Sequence, residues 1–185
     1  EKSKFKLFAV SAIAAVVVVA SQNVLAHTRL KTSTIDENNA NHGSDYNDVV
    51  IAHGCKNETD GSATIDTIGS VTVFPDGKDS IITTKPAGSD STVAATPYEG
   101  GLTDFVTNWV SPVTLIQNNS VFTERGYIKD SLGNKLGFWV GGGNGLTAGF
   151  RGLIPFTTAG VVINPESCVK SVTFVVSIAD ICEIT

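Results

Sequence analysis

Short runs of β-branched residues, each ended by glycine, proline or asparagine, most constrain the fold of this chain. Examples are GSVTVF at 69–74 and DSIITT at 79–84. Val, Ile and Thr favour the extended, half-buried backbone of a strand, and the 18 glycines supply turns. Many short strands separated by turn residues are typical of sandwiches and Greek-key barrels. The sequence therefore predicts an all-β protein, a single β-sandwich or Greek-key barrel-like domain with at most one short helix.

Local patterns predict several individual elements. The turn sequence Pro75-Asp76-Gly77-Lys78 predicts a hairpin between the two runs quoted above, and the turn Leu132-Gly133-Asn134-Lys135 predicts another. Apolar residues at helical spacing over 102–109, before Pro112, predict the one short helix. The long apolar run over 169–184 predicts a central strand.

The glycine cluster Gly141-Gly142-Gly143-Asn144-Gly145 resembles a phosphate loop only in composition. A phosphate loop requires a helix directly after it, whereas Leu-Thr-Ala-Gly-Phe follows here and favours a strand. We therefore interpret the cluster as a flexible hairpin loop, and no nucleotide site follows from it.

The N-terminal segment has the pattern of a secretory signal peptide. Three lysines precede a 14-residue apolar run, Leu7–Ala20, and Val24-Leu25-Ala26 precedes the expected cut. This run is shorter than the roughly 20 residues of a membrane-spanning helix, which is the alternative. We expect a signal peptide over 1–26, a mature β domain over 27–185 without a stable membrane span, and export to the periplasm, cell surface or medium. The apolar run that reaches Thr185 without a polar tail suggests truncation at the C-terminus.

Charge and cysteine content narrow the function classes. The formal charge of −5 argues against nucleic acid, which needs a basic face. In an exported protein two of Cys55, Cys168 and Cys182 are expected to form a disulfide, and the sequence leaves the pair open. The chain lacks a Gly-x-Ser-x-Gly nucleophile motif. We therefore expect no enzyme.

The three histidines indicate a metal site. Cleavage after Ala26 would make His27 the N-terminus, where its amine and its ring Nδ1 can chelate one metal ion, and copper readily displaces the proton of the amine. If strands over 28–33 and 46–53 pair antiparallel, His53 returns beside residues 27–28 and becomes the second ligand. We expect His42 to be exposed in the loop between them. Carboxylate alternatives are Glu37, Asp45 and Asp48.

The first third of the mature chain resembles the YcnI-like family of secreted copper-binding proteins. The matching stretches are Ala26-His27-Thr28, Gly43-Ser44, Tyr46, His53-Gly54-Cys55 and Phe74-Pro75-Asp76-Gly77. The resemblance covers about 50 residues and implies that His27 is a copper ligand. It also implies a nearby carboxylate and a tryptophan near the metal, either Trp109 or Trp139.

Three functions remain open at this point. The first is an exported copper-binding protein for acquisition or handling of the metal, with His27 and His53 as ligands and a copper ion as cofactor. The second is a structural or adhesive surface domain without metal. The third is an N-terminal-histidine copper monooxygenase, against which the aromatic content of 8% counts, because such enzymes use a flat aromatic face for the sugar chain.

Overall fold

The computed structural model describes residues 28–34, 44–57, 59–77, 80–90, 92–116 and 121–183. The predicted signal peptide lies outside these residues, as do His27, Glu37 and His42. The described part is all-β, as the sequence predicts, with one short 3-10 helix at Leu102–Asp104. Within this part there are twelve strands: Arg29–Leu30 (β1), Ser44–Ile51 (β2), Thr67–Val73 (β3), Thr83–Thr84 (β4), Thr96–Pro97 (β5), Val106–Asn108 (β6), Thr114–Leu115 (β7), Glu124–Lys129 (β8), Lys135–Leu146 (β9), Gly152–Ala159 (β10), Val162–Ile163 (β11) and Ser177–Cys182 (β12).

Two four-stranded antiparallel sheets form the sandwich. The first sheet has the order β1-β2-β10-β7, and the second sheet has the order β12-β3-β9-β8. Two short pairs, β6 with β11 and β4 with β5, lie outside the two sheets. In a sandwich, alternate side chains of each strand enter the space between the sheets, and this alternation separates the core from the surface.

The core lies between the facing sides of the two sheets. Phe156 of β10 packs against Phe138 of β9 with ring centroids 5.4 Å apart, and against Phe74 at 5.6 Å. Val49 and Ile51 of β2 are fully buried in the same cluster. Burial of these large apolar side chains is the main stabilising term of such a fold.

The two sheets are joined along both edges. On one side, the Thr28 hydroxyl donates a hydrogen bond to the Asp180 carboxylate of β12, so the start of β1 contacts the edge of the second sheet. On the other side, the backbone N–H of Leu115 in β7 donates to the Tyr127 hydroxyl of β8 over 3.1 Å. These bonds place β1 against β12 and β7 against β8.

The predicted hairpin around Pro75–Gly77 is wrong, whereas the turn before Lys135 is confirmed. β3 pairs with β12 and β9, while Thr83–Thr84 pairs with Thr96–Pro97. Both neighbours of β3 are far away in sequence, and long-range pairing overrode the local turn signal. The second turn does join β8 and β9, with Asp130 accepting hydrogen bonds from the backbone N–H of Leu132 and Asn134.

The glycine cluster lies inside strand β9 and is not a hairpin loop. Gly69 of β3 pairs with Gly141 of β9, and Thr67 pairs with Leu146. Between these two pairs, β3 covers two residue steps whereas β9 covers five. The extra residues form a bulge in which Gly142, Gly143 and Gly145 have φ near +70°. This left-handed conformation is open to glycine without steric cost, which explains the composition of the cluster.

Two further local predictions fail in part. Only the second half of the C-terminal run, Ser177–Cys182, is a strand, and it lies at the edge of its sheet rather than the centre. The helix predicted over 102–109 is one 3-10 turn followed by β6. Val106 is buried in that strand, so the apolar spacing reflects burial of an extended segment rather than a helical face.

Candidate metal site

His53 lies two residues after β2, on a turn that packing holds in place. Its Nδ1 lies 2.6 Å from the carbonyl oxygen of Gly54. When Nδ1–H donates to this oxygen, the neutral ring carries its lone pair on Nε2. This tautomer is the one that binds a metal ion through Nε2. A Cβ added at Gly54 would lie 2.5 Å from the Ile65 carbonyl oxygen, so only glycine fits here. The backbone therefore fixes the orientation of the His53 ring.

The strand pairing on which the sequence prediction depended is confirmed. β1 pairs antiparallel with β2, with Arg29 opposite Val50 and Leu30 opposite Val49. Thr28, the residue that follows His27 in the chain, is half-buried at the start of β1.

Asp180 is the carboxylate that meets Thr28. It lies opposite Ser70 in the β12–β3 register, and its Oδ2 accepts the hydrogen bond from the Thr28 hydroxyl. Its Oδ1 is buried and has no hydrogen-bond partner among the described residues. Burial raises the pKa of Asp180, while hydrogen bonding by Thr28 and then by Ser70 opposes this rise, and His53 opposes it least. Asp180 is therefore surrounded by Thr28, Ser70 and His53.

A disulfide joins the two segments that carry His53 and Asp180. Cys55 bonds to Cys182 with a Cα–Cα distance of 5.9 Å, and the Cys55 side chain is fully buried. Each cysteine stands two residues after one of the two polar side chains, in His53-Gly54-Cys55 and Asp180-Ile181-Cys182. Cys168 remains a free, exposed thiol. The covalent bond therefore holds the imidazole and the carboxylate in one corner of the sandwich.

Asp48 and Asp45, two of the carboxylates named from the sequence, lie elsewhere, and the third, Glu37, lies outside the described residues. Asp48 is buried beneath Lys31, whose Nζ lies 3.0 Å from Asp48 Oδ2, and it also accepts from the Tyr46 hydroxyl over 3.2 Å. Asp45 lines a cavity between the first sheet and the segment 170–176, on the same side of β2 as Asn47. Neither contacts Thr28 in the hydrogen bonds and ion pairs of the described residues.

The tryptophans are also placed away from Asp180. Trp139 of β9 lies opposite Val71 of β3, one residue from the row that contains Asp180, so it faces the other side of the second sheet. It is exposed at 38% of its surface. Trp109 packs edge-on against Phe174 with centroids 4.5 Å apart. The tryptophan that the family resemblance implies near the metal stays a prediction.

Asp180 is the one residue of this corner that sequence reasoning missed. It lies 127 residues after His53 along the chain, and no local motif connects the two. His53 and Asp180 each stand two residues before a cysteine. This shared spacing points to Asp180 once Cys55 and Cys182 are known to be bonded.

Within the described ranges, which do not include His27, no three histidine, cysteine or acidic side chains gather closely enough to hold a metal ion. The described residues also include no helix that is long and apolar enough to cross a membrane. Comparisons with protein-family models, curated proteins and solved structures found no match.

Proposed function

We propose that this chain is an exported copper-binding protein that acquires or handles the metal. In the proposed site, processed His27 and His53 supply nitrogen ligands, and Asp180 supplies the carboxylate. The Cys55–Cys182 bond supports export, since disulfides persist mainly in oxidising compartments.

The observation that carries the proposal is the hydrogen bond from Thr28 to Asp180. It holds the residue next to His27 against one candidate ligand, and the disulfide of Cys182 to Cys55 ties the strand of Asp180 to the turn that carries His53. The Oδ1 of Asp180 is buried opposite Ser70 without a hydrogen bond of good geometry from a described residue, and a cation would stabilise this oxygen.

The donor set suits copper. The α-amine and Nδ1 of an N-terminal histidine bind one ion as a chelate, and His53 adds a third nitrogen. Divalent affinity for nitrogen sites peaks at Cu(II), which favours a square-planar arrangement. The amine has an unperturbed pKa of about 7.7–8.0, so binding releases a proton near neutral pH and strengthens as pH rises.

The test is copper titration of protein that begins at His27, with mass spectrometry of the secreted protein to establish that N-terminus. We expect one Cu(II) per chain, with nitrogen hyperfine structure in the electron paramagnetic resonance spectrum. His53→Ala should remove one nitrogen from that spectrum, and Asp180→Asn should weaken binding. His42→Ala, the remaining histidine, is the matched control and should change neither.

A glycine inserted before His27 separates the amine from the ring and tests the chelate itself. Tight binding should be lost in this variant while the thermal unfolding curve stays the same. Equal copper affinity with and without the extra glycine would refute the N-terminal site. Binding that survives His53→Ala with an unchanged spectrum would remove His53 from it.

A further inference from the structure

A cavity of about 530 Å³ lies between the first sheet and the segment 170–176. Val172, Phe174 and Val176 line it from that segment, which precedes β12 and belongs to no described strand. Phe156 and Thr158 line it from β10. Its volume lies within the range of about 300–1,000 Å³ that is usual for small-molecule sites.

The cavity has a mixed lining, and one part of it is apolar. Phe74, Val110 and Phe156 line it and are each buried to 95% or more, with exposures of 5%, 5% and 1%. Val161 and Ile163 add aliphatic surface beside them. These side chains would bury the hydrocarbon part of a ligand and remove it from water.

One carboxylate lines the cavity. Asp45 of β2 and Thr158 of β10 are partners in the strand register, and both line the cavity. Thr158 is 6% exposed, so its hydroxyl is an interior oxygen next to the carboxylate. Burial raises the pKa of Asp45, which is the direction expected for a carboxylate that no nearby positive charge stabilises.

Asp45 has no cationic partner in the part of the chain that the structure describes. The single ion pair between described residues joins Lys31 to Asp48, on the opposite face of β2. Lys170 also lines the cavity but forms no ion pair with Asp45. Asp45 is half-buried at the cavity, and a cation bound there would pair with its carboxylate.

We infer that this cavity binds a small organic cation, with an apolar body over Phe156 and a primary ammonium at Asp45 and Thr158. The ammonium would donate to the carboxylate and to the hydroxyl, and charge-assisted bonds of this kind are the stronger ones in proteins. The inference is independent of the copper proposal, because neither His53 nor Asp180 lines the cavity.

The test compares tryptamine with tryptophol, which have the same ring and chain but end in an ammonium and a hydroxyl. Binding is measured by calorimetry on the full chain in the presence of a chelator, so that the metal site is empty. We expect tryptamine to bind about tenfold more tightly than tryptophol. Asp45→Asn should abolish this difference and leave tryptophol binding unchanged. Asp60→Asn, an exposed turn carboxylate, is the matched control and should leave both affinities unchanged.

Val161→Trp is a second variant that fills the cavity and retains Asp45. It should abolish binding of both compounds without loss of the folded state. Failure of tryptamine to bind, equal affinity for the two compounds, or a preference that survives Asp45→Asn would each overturn the inference. Unchanged tryptamine binding by Val161→Trp would place the site elsewhere and overturn it as well.

Discussion

The disulfide between Cys55 and Cys182 should contribute a large share of the stability of this sandwich. It closes a loop with a sequence separation of 127 residues. In the chain-entropy model, such a cross-link removes about 16–17 cal/mol/K from the unfolded state, or about 5 kcal/mol at 25 °C. Since domains of this size are stable by only about 5–15 kcal/mol, loss of the bond is expected to leave the protein marginally folded.

Urea denaturation of the double variant Cys55→Ala/Cys182→Ala measures this contribution. Alanine is chosen because Cys55 is fully buried, where a serine hydroxyl would be left without water. We expect a loss of about 3–5 kcal/mol, and the wild-type protein in reductant should unfold at the same urea concentration as the variant.

Cys168→Ala is the control, because this thiol is exposed and unbonded. This substitution should change the free energy of unfolding by no more than about 0.5 kcal/mol. A double variant within about 1 kcal/mol of the wild type would refute the entropic argument. A large effect of Cys168→Ala would instead show that a different pair of cysteines is bonded.

Three further predictions concern packing, a turn and pH. Phe138→Ala should cost about 3–5 kcal/mol in urea denaturation, because the ring is fully buried against Phe156; a cost below about 1 kcal/mol would contradict that packing. Gly54→Ala should lower the melting temperature, since its Cβ would lie 2.5 Å from a backbone oxygen, and an unchanged melting temperature would show that the turn can shift. Hydrogen bonds from the Asn134 side chain and backbone lower the pKa of Asp130 in the folded state. The ionised carboxylate therefore stabilises the folded state at pH values above its unfolded pKa, and this stabilisation is lost as the pH falls through the lower folded pKa. Asp130→Ala should therefore destabilise the protein at pH 7, and the two melting curves should converge in acid; a constant difference across pH would refute this.

Sequence reasoning succeeded where structure depends on neighbours along the chain. The alternating sequence at 28–33, the β-branched run that ends before His53 and the polar loop between them predicted the β1–β2 pair. The turn at Leu132–Lys135 predicted the β8–β9 pair. It failed for β3, whose two partners come from distant parts of the chain. Periodicity specifies which face of a strand is buried, but it does not specify which strand lies beside it.

The same contrast between local and long-range structure applies to the residues of the candidate site. His53 was identified because it ends a strand that returns to the start of the domain. Asp180 could not be identified, because its proximity depends on the stacking of the two sheets and on the choice among three cysteines. The glycines of β9 were misinterpreted for a related reason, since composition alone does not distinguish a loop from a bulge within a paired strand.

The contact between Thr28 and Asp180 brings the start of the described chain beside its last strand. A short linker could therefore join residue 27 to the segment after Cys182, and the chain could be reopened at the exposed turn of Gly88. Such a circular permutant would keep the sandwich and its disulfide while converting the amine of His27 into an ordinary peptide nitrogen. Copper titration of this permutant would show whether copper binding requires only the folded domain or also a free N-terminus at His27.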